Sequence, residues 1–149
     1  TVIWASAVGG DFVLPRKPGK PLVFIAGGVG ITPFRSMIAS LLESKAHFDI
    51  TLVYTAFKET AFSYKELFES AEEYGLKVHY VISGPTTPED WTGKQGELST
   101  KDLQELVPEI RKSTVYISGA PAMVRNHKKL ARKSGVKPWR IKTDFFAGY

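Results

Sequence analysis

PLVFIAGGVGITPFRSMIASLL, from Pro21 to Leu42, places an unbroken apolar run before three glycines in four positions, then a Thr-Pro pair at the head of an amphipathic segment. An apolar run without alternation reads as a strand covered on both faces, the condition of the middle of a parallel sheet. A glycine-rich turn between such a strand and a helix is an anion site, because unpaired amide hydrogens converge there with the positive end of the helix dipole. Gly27, Gly28 and Gly30 remove the Cβ atoms that would keep a pyrophosphate from the backbone. Thr32 is expected to cap the helix with its hydroxyl, and Pro33 to take the first helical position, where no amide hydrogen bond is lost. That proline stands where a dinucleotide-binding loop usually carries its third glycine.

Outward from this motif, apolar runs alternate with segments of helical period, the signature of a parallel sheet with crossover helices. Strands are expected at 22–26, 50–55, 76–83, 114–118 and 140–145. A helix follows the glycine turn. A second is announced by an S-x-x-E capping box, Ser63 and Glu66, with Gly75 as its left-handed stop. A third begins near Ser99 or Thr100 with Asp102 in its first turn, and a fourth runs over about 122–134 and ends at Gly135. The fold class is therefore α/β, a three-layer α/β/α unit around a five-stranded parallel sheet. Residues 1–20 read as the tail of a preceding element and a Pro/Lys/Gly linker, and 21–149 as the nucleotide-binding domain. The turn-rich loop 84–96 carries Trp91, expected to pack on the sheet edge rather than to meet a ligand.

Composition narrows the classes. The 149 residues are 43% hydrophobic and 23% charged, the balance of one soluble globular domain. With no cysteine there is no disulfide framework, thiolate nucleophile or cysteine metal site, and no metal is expected. No apolar run reaches the roughly 18 residues that span a bilayer, and TVIWASAVGG lacks the basic start of a signal peptide. A cytoplasmic location is expected, or the cytoplasmic face of a membrane should the parent protein carry membrane helices. The net charge of +5 favours anionic partners, and Arg125, Lys129 and Arg132 share one helix face. No aromatic is interleaved there for base stacking, so nucleic acid is not expected as a partner.

The string AGGVGITPFRSMI resembles the nucleotide-binding motif of the ferredoxin-NADP reductase family, in which a β-barrel domain holds FAD and a second domain binds NAD(P)H. GDFVLP (10–15), WTGKQGELS (91–99), YISGAPAMV (116–124) and FFAGY (145–149) match further family segments in the same order. The resemblance implies that Gly28 and Gly30 cradle the pyrophosphate, with Gly27, Val29 and Ile31 also among the cofactor-binding residues. It implies that Thr32 faces the junction of nicotinamide and flavin while Pro33 fixes the loop's exit. It assigns Gly119, Ala120 and Pro121 to the turn after the fourth expected strand, Met123 to the start of the next helix, and Phe146 to the aromatic near the flavin. Ser118 stands where relatives usually carry a cysteine beside the reacting nicotinamide carbon, so the resemblance places Thr32 and Ser118 at the hydride-transfer centre.

Cofactor choice is expected to rest on Thr55, Ala56, Phe57 and Lys58 after the second strand. Lys58, Lys65 and Arg125 are the cations available to a 2′-phosphate, and the absence of a fork-like arginine leans toward NADH. No Arg-x-Tyr-Ser flavin motif is present. The chain thus reads as the nucleotide-binding half of a flavin-dependent reductase. Its partners would be NADH or NADPH, an FAD-binding domain of the parent protein, and an iron-sulfur, haem or other acceptor downstream. A stand-alone nucleotide-binding or regulatory module is the alternative.

Overall fold

The computed structural model describes residues 10–16 and 19–146. The expected strand-like piece within residues 1–9, Lys17 and Pro18 of the linker, and Ala147 to Tyr149 lie outside the described residues. Six parallel strands form one sheet: β1 (Leu22–Gly27), β2 (Ile50–Ala56), β3 (Leu76–Ile82), β4 (Lys94–Gln95), β5 (Thr114–Gly119) and β6 (Ile141–Phe145), in the order β4-β3-β2-β1-β5-β6. The five expected strands are present with ends within one residue of their sequence positions. The sixth, β4, is a two-residue edge strand whose Lys94 and Gln95 pair with Val81 and Ile82. Two residues carry no hydrophobic period, so the sequence shows only the turn-rich loop around it.

Alternate residues of the central strands face opposite layers. Phe24, Leu52, Tyr54 and Tyr116 pack with Phe34 and Ile38 of α1 (Ile31–Glu43) and Phe68 of α2 (Lys65–Glu72). Val23, Ile25, Val53, Val115 and Ile117 pack with Leu103 of α3 (Thr100–Leu106) and with Val124 and Ala131 of α4 (Pro121–Lys133). The chain winds from β1 outward to β4, then returns past β1 to β5. The loops leaving β1 and β5 therefore part toward opposite faces, and their C-terminal ends form the topological switch point where open α/β sheets bind ligands.

Three local expectations change. Helix α1 starts at Ile31 with Gly30 as its cap residue, so Thr32 and Pro33 are its second and third positions, still within the turn whose amides have no intrahelical partner. The Ser63–Glu66 box does not form: Tyr64 adopts a left-handed φ of 64° at the cap of α2, and the Ser63 amide donates to the Tyr54 hydroxyl at 3.3 Å. Gly75 is left-handed, with φ of 107°, and a Cβ there would strike the Phe48 carbonyl, so close backbone approach fixes it as much as helix termination. Ser99 and Asp102, by contrast, form a complete capping box on α3, with Asp102 accepting from the Ser99 amide at 2.8 Å. Trp91 packs as expected, its ring parallel to Phe62 at 5.9 Å and its indole N–H donating to the Lys94 carbonyl at 3.3 Å.

The segment ahead of β1 is tied to the same face as α1. Phe12 sits 5.7 Å from Phe34 and 5.3 Å from Tyr116, the Tyr116 hydroxyl donates to the Val13 carbonyl at 2.8 Å, and Lys142 donates to the Asp11 carbonyl at 3.0 Å. These bonds place residues 11–13 across β5 and β6.

Candidate functional site: a two-chambered groove at the switch point

After β1, residues 28–30 make a tight 3-10 turn that runs straight into α1. Its three glycines serve different ends. A Cβ on Gly30 would collide with the backbone of Ser118 and come 2.5 Å from the Gly119 nitrogen, so this glycine lets the turn cross β5. A Cβ on Gly27 would meet the Met123 thioether, with Cε at 2.8 Å and Sδ at 2.9 Å. Gly28 alone of the three has a left-handed φ, 52°, and open space where its Cβ would point. Internal packing by itself accounts for the missing Cβ at Gly27 and Gly30, whereas at Gly28 the space is open.

Two helix N-termini flank the turn. Neither α1, capped by Gly30, nor α4, capped by Ala120 with Pro121 in its first turn, has a side chain accepting from its free amides. Unlike α3, these ends keep their amide hydrogens and the positive end of the dipole for an external anion. Thr32 leaves them free because its hydroxyl donates to the Val29 carbonyl at 2.9 Å instead of accepting.

A cleft of about 410 Å³ opens beside the turn, walled by Gly27, Gly28 and Val29, by Thr55 and Ala56 at the end of β2 with Phe57 just after it, and by Ala120 and Met123 at the start of α4. Eight of the residues expected from sequence are thereby brought together. The Thr55 hydroxyl is buried and donates to the Ala26 carbonyl at 3.0 Å, tying the ends of β1 and β2. Phe57, 68% exposed, stands on the rim. Ile31 is buried, so its side chain belongs to the core. Thr32 and Lys58 are exposed and Pro33 is half-buried, and none of them lines the cleft.

Thr32 and Ser118, expected at the hydride-transfer centre, both stand off this cleft. Ser118 is completely buried, does not line this cleft, and its Oγ has no hydrogen-bond partner among the described residues. Its strand position puts it on the α1 side, under the Gly30 crossing. Phe146 is half-buried just beyond β6, and its amide donates to the Gly119 carbonyl at 3.1 Å, which draws the chain's last described residue to the same turn.

A second chamber of about 280 Å³ continues from the first and shares Thr55, Ser83 and Met123 with it. Its further walls are Gly96, Glu97 and Leu98 after β4, and Asn126, His127 and Leu130 of α4. Sequence reasoning missed these. The available signals were the one-turn spacing of Met123 and His127, and the carboxylate directly after the last glycine of WTGKQG. His127 Nδ1 lies 2.9 Å from the Met123 carbonyl, which only accepts, so Nδ1 carries the hydrogen and Nε2 keeps its lone pair. That Nε2 is buried without a partner among the described residues. Burial holds the imidazole below its ordinary pKa, opposed by the Met123 carbonyl and by Glu97, which keeps His127 neutral near pH 7.

The family model for the oxidoreductase NAD-binding domain matches residues 24–129, which hold the turn, the cleft and all of the second chamber's named walls but Leu130. The chain belongs to this family. It is 31% identical over 146 residues to a flavohemoprotein of Bacillus cereus, covering 95% of this chain and 36% of that protein. It is 32% identical over 140 residues to an NADH-cytochrome b5 reductase of Pyricularia oryzae, covering 88% of this chain and 44% of that one. The fold is shared with the FAD/NAD-binding domain of a nitric oxide dioxygenase from Vibrio cholerae, with a TM-score of 0.77 at 23% identity, over 93% of this chain and 55% of the other. The chain thus spans less than half the length of these two curated relatives. Among the described residues no group of three or more acidic, histidine or cysteine side chains is placed to hold a metal, and no helix is long and apolar enough to cross a membrane.

Proposed function

We propose that this chain is the nucleotide-binding half of a flavin-dependent NAD(P)H oxidoreductase, holding the dinucleotide so that its nicotinamide meets an FAD carried by another domain of the parent protein. The observation that carries the reading is Gly28: a left-handed glycine whose missing Cβ faces an open cleft, between two uncapped helix N-termini at the switch point. A pyrophosphate suits that cradle in charge and in its need for amide donors.

When bound, NAD(P)H supplies the hydride and FAD accepts it. This chain's own residues supply position. The turn amides and the start of α4 hold the phosphates, Met123 and Ala120 wall the cleft, and Thr32 stands exposed at the head of α1, near where the two ring systems would meet. Thr32, Ser118 and Phe146 are proposed to border the nicotinamide end. In support, Ser118 lies beneath the turn, Phe146 is bonded to Gly119, and the 11–13 segment crosses β5 and β6 on the same face. From the flavin, electrons would pass to an iron-sulfur, haem or other acceptor. Cytoplasmic residence, with or without a membrane-bound parent, belongs to the same proposal.

Titration with NADH and with NADPH, followed by nicotinamide fluorescence, tests the reading. Wild type should bind at least one, and Gly28→Val should weaken that binding by about a hundredfold or more, because a branched side chain would occupy the phosphate position. Binding of neither nucleotide by wild type, or equal binding by the folded variant, refutes it. Adding the FAD domain of the parent protein should then give nicotinamide oxidation, and a regulatory module would bind without it.

A further inference from the structure

The second chamber differs from the first in its chemistry. Its walls carry one carboxylate, Glu97, a neutral histidine with a free lone pair, and the amide of Asn126, with no lysine or arginine among them. The three cations that the sequence offers to a 2′-phosphate are elsewhere. Lys65 pairs with Glu59 at 3.5 Å and lies over the rings of Phe62 and Tyr80, at 5.8 and 5.7 Å. Lys58 and Arg125 are exposed and line neither chamber.

Resting on the reading above, which puts the pyrophosphate at Gly28 and the nicotinamide toward Thr32 and Phe146, the other end of the dinucleotide must leave past Met123 toward this chamber. We infer that the chamber takes the adenosine end of NADH and excludes that of NADPH, with Glu97 as the residue that sets the choice. A free ribose diol donates hydrogen bonds, and a carboxylate accepts them. A 2′-phosphate brings two negative charges and no donor toward the same carboxylate, in a chamber with no cation to offset them. His127 Nε2 is a second acceptor suited to a hydroxyl or amino group, so both titratable groups of the chamber favour a neutral, donor-rich ligand. The choice is made just past the end of β4, two strands beyond the β2 end where sequence reasoning looked for it.

The test titrates NADH and NADPH against wild type, Glu97→Gln, Glu97→Lys, Gly28→Val, and Glu105→Lys. The last makes the same charge change on an exposed α3 residue, paired with Lys101, that lines neither chamber. Wild type should prefer NADH by about tenfold or more, the effect of one exposed charge on a nearby phosphate. Glu97→Gln should narrow that ratio, Glu97→Lys should abolish or reverse it, and Glu105→Lys should leave it within about twofold. Equal wild-type affinities, an unchanged ratio in Glu97→Lys, or an equal shift in Glu105→Lys would overturn the inference. With NADH binding still lost in Gly28→Val, those results would leave the dinucleotide reading standing. Failure of wild type to bind either nucleotide would overturn both.

Discussion

Substituting each glycine of the turn by alanine separates packing from ligand approach. At Gly30 the new methyl meets backbone only: the Ser118 carbonyl group and the Gly119 nitrogen, the latter at 2.5 Å. Ordinary contact needs nearly 1 Å more, and none of these atoms can rotate away, so α1 must lift from β5. Overpacking of this kind costs about 3 kcal/mol. With an unfolding entropy of about 2.1 cal/mol/K per residue, 149 residues give about 0.3 kcal/mol/K, so Gly30→Ala should lower Tm by about 10 °C. At Gly28 the methyl enters open space, and the cost is the left-handed φ alone, about 1 to 2 kcal/mol or roughly 3 to 6 °C. At Gly27 the neighbour is the flexible end of Met123, which can turn aside, so the loss should be the smallest of the three. Thermal unfolding by circular dichroism reads the order, and NADH titration of the same proteins below their transitions reads the ligand side, where Gly28→Ala should lose most affinity per degree of Tm. A Gly30→Ala protein as stable as wild type, or less affected than Gly28→Ala, would refute the assignment of the glycines.

Asp102 gives a pH signature. The Lys94 ammonium at 2.7 Å and the Ser99 hydroxyl and amide hold its carboxyl down to about 2 from 3.8. A depressed carboxyl stabilises the fold above its unfolded pKa and loses that contribution as pH falls through the folded value. The urea midpoint of wild type should therefore fall more steeply than that of Asp102→Asn between pH 3.8 and about 2, with parallel curves above. Lys45, exposed and with φ of 52°, follows the last turn of α1, so Lys45→Gly should relieve left-handed strain and raise stability by about 0.5 to 1 kcal/mol in chemical denaturation.

What the sequence showed well was anything written in a continuous run. The apolar strands β1, β2 and β5 and the long period of α1 and α4 are local patterns, and burial on both faces enforces them. The Ser63–Glu66 box is local too, yet it failed. Its amide is taken by the Tyr54 hydroxyl, and Tyr64 turns left-handed, so the helix starts too late for that pair to span its first turn. Nothing in S-x-x-E reveals a competitor nine residues upstream. Likewise Thr32 is a good cap residue by type, but the tight turn begins the helix ahead of it and leaves its hydroxyl facing a carbonyl. The first chamber was legible because one motif supplies its turn. The second was not, because Ser83, Glu97 and His127 come from three separate segments joined only when β4 adds to the sheet edge.

The glycine turn is held unequally from its two sides. Toward β5 it rests backbone on backbone at Gly30, a wall that cannot yield without moving a strand. Toward α4 it rests on a single thioether that touches Gly27, lies close to Gly119 and also lines both chambers. A ligand entering the groove therefore works against one rigid jaw and one compliant jaw. On the proposed reading, the rigid side would register the phosphates and Met123 would absorb differences in what lies farther along the groove, letting the two ends of a bound dinucleotide adjust almost independently.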